Sequence, residues 1–194
     1  TILHVLFVSM QKEELFVIDD LHFFEKQWQT IHPDWITLCD STNAELIHNV
    51  FHYLKKQKKE KIFLITDLSK FLQEDEQYPM LFHEILEHAS MYEMHVITFV
   101  SSCDALRYRD FVFLENRYVL QSDTLPQIQQ FLETGEKKIC STVNEGLCKM
   151  DHVLSFQLLE TSTSKLIQLL KQSHANTKKT IIPCMPERID RTQY

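Results

Sequence analysis

Residues 61–70, KIFLITDLSK, constrain the fold more than any other stretch of this chain. Four apolar residues, Ile62 to Ile65, run into Thr66 and Asp67. So short and uniformly apolar a run is the pattern of a strand buried on both faces, the setting of an interior strand in a parallel sheet. Such a strand delivers Asp67 to its C-terminal end, and in open α/β sheets that edge is where ligands sit. Glycine adds a second constraint. At an average usage of about 7%, a chain of this length carries roughly 13 glycines, whereas this one has two, Gly135 and Gly146. Neither belongs to a phosphate-binding loop, so a Gly-rich cradle for phosphate must come from outside these residues.

The segments around that strand alternate in type. Residues 2–10 are apolar throughout and are read as a buried helix, followed by a strand at 15–20, LFVIDD. HFFEKQWQTI carries a short helix that ends before His32-Pro33, because the residue before proline avoids the α region. A strand follows at 35–40, and Ser41 or Thr42 caps a helix from about Asn43 to Lys58. Leu46, Ile47, Val50, Phe51 and Leu54 recur at helical spacing on it, which makes one face core. Further elements are a helix at 79–93 with proline in its first turn, a strand at 95–102, a fifth strand near Arg117 to Gln121, and a helix at 125–134. Two short strands near 138–140 and 153–160 and a helix at 162–173 precede a Pro-containing tail at 181–194. This alternation predicts one α/β domain over residues 1–194, with a mostly parallel sheet flanked by helices on both faces.

Charge and cysteine usage narrow the setting. A net charge of −7 argues against general nucleic-acid binding, which needs a basic face. The lysine run at 55–61 closes a helix, where it complements the helix dipole. The five cysteines form no CxxC pair and suit reduced thiols. No stretch approaches the roughly 20 apolar residues that span a bilayer, so the chain reads as soluble, compatible with the cytosolic end of a longer membrane protein. Thirteen phenylalanines make room for an apolar groove that takes a peptide or helix.

Three strands end in acid: Asp19 and Asp20, Asp40, and Asp67. In a parallel sheet all of them reach one edge, as a cation or phosphoryl site would require. Aspartates also favour strand-to-helix turns for purely structural reasons. The spacing of Asp19-Asp20, Asp67 and Ser101 further suggests a phosphorylated receiver, but the fifth strand, RYVLQSD, lacks the lysine such a domain needs. Histidine pairs offer little. His48 and His52 are four apart without the glutamate of a metalloprotease motif, and His83 and His88 are five apart, about 140° around a helix. No metal site is expected, and no cysteine is singled out as activated.

In order, these segments resemble the ATPase domain of the FtsK/SpoIIIE family over nearly the whole chain. The resemblance rests on ELFVIDDLHFF (14–24), TIHPDWITLCDSTNAELIHNVFHYL (30–54), KIFLITDLSKFL (61–72), LFHEILEHASMYEMHVITFVSS (81–102), FVFLENRYVLQSDTLPQIQQFL (111–132) and the tail TIIPCMPERI (180–189). It implies a RecA-like, P-loop NTPase-type fold. Thr1 then looks like the last residue of a Walker A loop, and Asp67 like the Walker B carboxylate.

The departures set the functional expectation. Leu68 stands where the family has its catalytic glutamate, Ser101-Ser102 at the Thr-Gln sensor, and Ser90-Met91 at the Gly-Arg turn. Phosphoryl transfer needs a phosphate cradle, a metal ligand and a water-positioning group together. Thr1 and Asp67 are therefore expected as vestiges of a nucleotide and Mg²⁺ site, with no catalytic residue and no bound cofactor; ATP and Mg²⁺ belong to the parent protein. Degenerate domains of this kind resemble those of type VII secretion coupling ATPases. That resemblance implies secreted helical-hairpin substrates and neighbouring ATPase domains of the same chain as partners, a homo-oligomer in the full protein, and no role for DNA. It does not mark the substrate-binding residues. The alternative is an active ATP-driven protein or DNA translocase whose P-loop lies outside this chain.

Overall fold

The computed structural model describes residues 14–22, 36–56, 59–101, 106–120, 124–135, 137, 140, 145–149 and 152–157. The expected helices at 2–10, after His22 and at 162–173, Thr1, and the tail at 181–194 lie outside the described residues. Four strands form the first sheet: β1 (Glu14–Ile18), β2 (Ile36–Cys39), β3 (Lys61–Ile65) and β4 (Met94–Thr98). Their order is β2-β1-β3-β4 and every pairing is parallel. Every residue of β3 is buried, as its apolar run requires.

Even Lys61, the first residue of β3, is fully enclosed. Its ammonium donates to the Tyr92 carbonyl at 2.8 Å. Burial pushes its pKa below the usual lysine value, against the pull of Glu14 and Glu93.

Alternation along the strands divides the sheet's side chains between two faces. Phe16, Ile18, Phe63 and Ile65 enter the main core, while Leu15, Val17, Ile62 and Leu64 are buried on the opposite face. The main core is closed by α1 (Ala44–Lys56), α2 (Leu68–Glu74) and α3 (Tyr78–His88). Phe51 of α1 meets Phe63 edge-on, with ring centroids 5.2 Å apart, and Phe71 of α2 stacks on Tyr78 of α3 at 4.6 Å. The α1 face of Ile47, Val50, Phe51 and Leu54 is the one its periodicity marked.

The cap of α1 is Asn43, whose side chain accepts from Leu46 N at 3.0 Å, rather than Ser41 or Thr42. Those two hydroxyls bond aspartates instead. The helix α2 was not expected from the sequence. The helix expected at 79–93 ends at His88, and the turn that follows, with Glu93 at a left-handed φ of 51°, leads into β4.

The fifth strand lies outside the parallel sheet. After a single turn of helix, α4 (Tyr108–Phe111), β5 (Arg117–Val119) joins a separate antiparallel sheet with β6 (Glu145–Lys149) and β7 (Val153–Gln157). Their order is β5-β6-β7. Gly146 hid β6 from the sequence reading. Across the pair from it, the Phe156 ring lies so close that a Cβ on Gly146 would sit 2.2 Å from it; an aromatic ring filling the space over a strand glycine restores the missing packing.

The helix α5 (Leu125–Leu132) opens with a Thr124–Gln127 capping box and packs Ile128 and Leu132 on Val119, Leu147 and Val153. Arg117 fastens this region. It donates to the carbonyls of Phe111 (2.8 Å), Leu114 (2.8 Å) and Phe131 (3.0 Å) and pairs with Glu133 at 3.1 Å.

Because Phe63 lies in the middle of a strand with no exposed face, Phe63→Ala is expected to cost about 3–5 kcal/mol in urea denaturation. A loss below about 1 kcal/mol would mean that this site collapses around the cavity far more readily than a close-packed core does.

Candidate functional site

All four strands of the parallel sheet end at one edge, and the strand order creates a crevice there. The chain leaves β1 outward to β2 and returns to β3 on the other side, so β1 and β3 flank the topological switch point, where open α/β sheets take their ligands. Ile18 is register-paired with both Cys39 and Ile65. Asp19-Asp20, Asp40 and Thr66-Asp67 therefore follow the ends of three adjacent strands. The acids that the sequence placed at a common edge follow neighbouring strand ends there.

Each acid has a defined local role. Asp67 is the N-cap of α2, and its Oδ1 accepts from the Lys70 backbone N–H at 3.1 Å. Asp40 accepts from the Thr42 hydroxyl and from its N–H at 2.9 Å. The hydroxyl bond is the main reason its pKa lies below the usual carboxylate value. Asp20, like Asp19, is buried, at 5% exposure. Its Oδ1 accepts from Ser41 N at 2.9 Å and Ser41 Oγ at 2.7 Å, with the Lys70 ammonium 4.0 Å away. Its Oδ2 is buried and has no hydrogen-bond donor among the described residues.

The network continues inward. Tyr78 is fully buried and donates its hydroxyl to the Ser41 carbonyl at 2.8 Å. Burial, followed by the negative charges of Asp75 and Glu74, pushes the phenol up to about 12. On the rim, Thr66 Oγ1 donates to the Ile18 carbonyl at 3.2 Å and accepts from Leu21 N at 3.4 Å. His22 closes the turn after Asp20 with a left-handed φ of 50°. Ser101 lies on the same edge, its hydroxyl 3.5 Å from that of Ser69. Lys70 and Tyr78 were not singled out from sequence, and Ser41 was read only as a helix cap; the usable signal was Asp67 itself, an N-cap residue type directly before Leu68.

The residues present do not fit a divalent metal. Among the described residues no three His, Cys, Asp or Glu side chains gather as a ligand set. Lys70 binds one crevice acid through its amide and holds its ammonium beside the other. Leu68 is wholly buried in the main core, where no acid would be tolerated unpaired. His83 and His88 serve different partners, Asp110 at 2.9 Å and the Glu84 carbonyl at 3.1 Å. Cys39 and Cys148 are buried, and burial pushes the Cys140 thiol up, away from thiolate chemistry. Cys103, Cys184, Ser102 and Thr1 lie outside the described residues. A receiver-type site would need β5 parallel beside β4, and β5 instead pairs antiparallel with β6.

The open parallel α/β sheet flanked by helices has the RecA-like fold of solved ATPase domains. Among the solved structures that share it are cytoplasmic domains of EssC and EccC. EssC (ATPases 2 and 3) from Geobacillus thermodenitrificans matches 98% of this chain with a TM-score of 0.75 at 11% identity, over 45% of its own length. The cytoplasmic domain of the Thermomonospora curvata type VII secretion ATPase EccC matches 92%, with a TM-score of 0.66 at 9% identity, over 26% of its length. A cytoplasmic domain of EssC matches 96%, with a TM-score of 0.64 at 10% identity, over 45% of its length. The chain thus spans between a quarter and a half of these structures, and at such identities the likeness is one of fold. No protein-family model and no curated protein matches by sequence. Among the described residues no helix is long and apolar enough to cross a membrane.

Removing the Tyr78 hydroxyl tests the network beneath the crevice. Tyr78→Phe leaves the buried Ser41 carbonyl without its donor and is expected to cost about 1–3 kcal/mol in chemical denaturation. The phenol is raised in the folded state, so its contribution is complete below about 10 and is lost as the pH climbs towards about 12. Alkaline destabilisation should therefore be shallower in Tyr78→Phe than in the wild type; parallel curves would show that Tyr78 titrates as it does in the unfolded chain.

Proposed function

We propose that this chain is a non-catalytic ATPase-like domain of a membrane-anchored type VII secretion coupling protein. Its work is to bind secretion substrates and to regulate catalytic ATPase domains in the same protein. The observation that carries this reading is the pair Asp67-Leu68 at the end of β3. The carboxylate caps α2, and the neighbouring position, where a hydrolytic site needs an acid to activate water, is a leucine sealed in the core. The fold shared with EssC and EccC supports the secretion setting. The negative net charge favours a protein partner over DNA. In this reading Thr1 and Asp67 are remnants of a nucleotide site, the chain itself needs neither ATP nor Mg²⁺, and its ligands are small helical-hairpin proteins with a C-terminal signal. Adjoining ATPase domains, and further copies in an assembled oligomer, are its other neighbours, at the cytoplasmic side of the membrane.

A second reading has one observation in its favour. Among the described residues β4 pairs only with β3, and Val96, Ile97 and Thr98 are half-buried along it. That edge has room for another parallel strand carrying a P-loop from outside these residues, which would make the domain an active translocase.

Binding of a purified helical-hairpin substrate, followed by fluorescence anisotropy, tests the first reading. Wild type and Asp67→Ala should bind alike within about twofold, and deletion of the substrate's C-terminal signal should abolish binding to both. A folded Asp67→Ala that loses binding would contradict the role given to Asp67. Failure of the wild type to bind any such substrate would contradict the receptor role.

A further inference from the structure

We propose that the open face of the antiparallel sheet is a docking surface for one amphipathic helix of a protein partner. The inference deepens the receptor reading above, on which it rests for the protein nature of the partner. Alternation along β5, β6 and β7 sorts their side chains onto two faces. Val119, Leu147 and Val153 pack on Ile128 and Leu132 of α5. By the same alternation and the pairing register, Arg117, Glu145, Lys149, Ser155 and Gln157 share that covered face. The other face carries Tyr118, Gly146, Cys148, Leu154 and Phe156, with no charge on it. A sheet with one wet face ordinarily turns its polar residues to water and its apolar ones to the helix. Here every charged residue of the three strands lies on the helix side, where Arg117 and Lys149 both pair with Glu133 at the end of α5. The apolar face is meanwhile open, with Tyr118 56% and Leu154 45% exposed. Such an inverted pattern marks a face that is built to be covered.

Shape selects the occupant. Tyr118, Cys148 and Leu154 form one row across the three strands. Phe156 stands opposite Gly146 in the next row, its ring edge-on to Tyr118 with centroids 6.0 Å apart. Three strands give a width of roughly 10 Å, and a five-residue strand gives a length of roughly 17 Å. That is the footprint of about three turns of helix. The eight-residue helix α5 already covers the reverse side of the same strands. Two copies packed face to face would join only about 170 Å² of plan area each, far short of the roughly 800 Å² per partner of a stable interface. A second copy is therefore the poorer fit. The helix must turn an uncharged apolar stripe to the sheet, because a charge buried there would meet no counter-charge. Contact over so small an area is weak and reversible.

The probe is a synthetic amphipathic helix of about 12 residues with a leucine stripe. It is titrated into the isotope-labelled 194-residue chain and followed by amide NMR shifts, with far-UV circular dichroism as a check of folding. Shifts are expected at Tyr118, Cys148, Leu154 and Phe156, with a dissociation constant below about 1 mM. Leu154→Lys and, independently, Tyr118→Glu should weaken binding by about tenfold or more. Ser155→Lys, on the reverse face, should leave it unchanged. Absence of these shifts up to about 1 mM peptide would overturn the proposal, as would undiminished binding in both Leu154→Lys and Tyr118→Glu. Tighter binding of a peptide of like composition held out of helix by proline would overturn it too, because that marks strand addition along β7. The probe is no secretion substrate, so binding of the peptide without binding of any hairpin protein would fault the receptor reading and leave this surface standing.

Discussion

The burial of β3 on both faces organises the rest of the molecule. Its five residues have no exposed side, so the strand must be flanked by β1 and β4 and covered above and below. Parallel pairing on both sides then sends the ends of β1, β2 and β3 to one edge. Enclosing a lysine at the start of the same strand is tolerated because a backbone carbonyl receives its ammonium at 2.8 Å. The acidic crevice is thus a consequence of how a continuous apolar run is buried. What a protein does with that crevice depends on the few polar side chains gathered there.

In this chain they hold the structure together. Asp67 begins α2, Asp40 orders the turn before α1, and Asp20 anchors Ser41, whose carbonyl is in turn held by Tyr78 of α3. The hydrogen bonds of these acids are directed to the protein itself. Leu68, one residue beyond Asp67, joins the main core. The order of this edge comes from donors within the protein.

Legibility in the sequence followed the range of the interactions. The strands β1, β3 and β4 and the helices α1, α3 and α5 could be read because short apolar runs, helical spacing and N-terminal prolines are local signals. The common edge of the acids could be read too, since alternating strands and helices imply parallel pairing. Three features were not legible for physical reasons. The helix α2 has seven residues, and its cap, Asp67, was weighed as a ligand. The strand β6 contains Gly146, whose packing partner Phe156 is brought opposite by the β6–β7 pairing. Pairing of β5 with β6 rather than β4 is a tertiary choice made by residues some thirty positions apart. Within the crevice, the contacts of Ser41, Lys70 and Tyr78 connect separate elements, and no spacing rule joins Ser41 to Asp20 or Tyr78 to Ser41.

The proposed non-catalytic role assigns this edge to internal structure rather than to nucleotide chemistry. Isothermal titration of Mg-ATP into the intact chain tests it most directly. The account predicts no heat of binding from a folded protein. Binding in the micromolar range would show that a phosphate cradle is completed at this edge after all and would put the active translocase first.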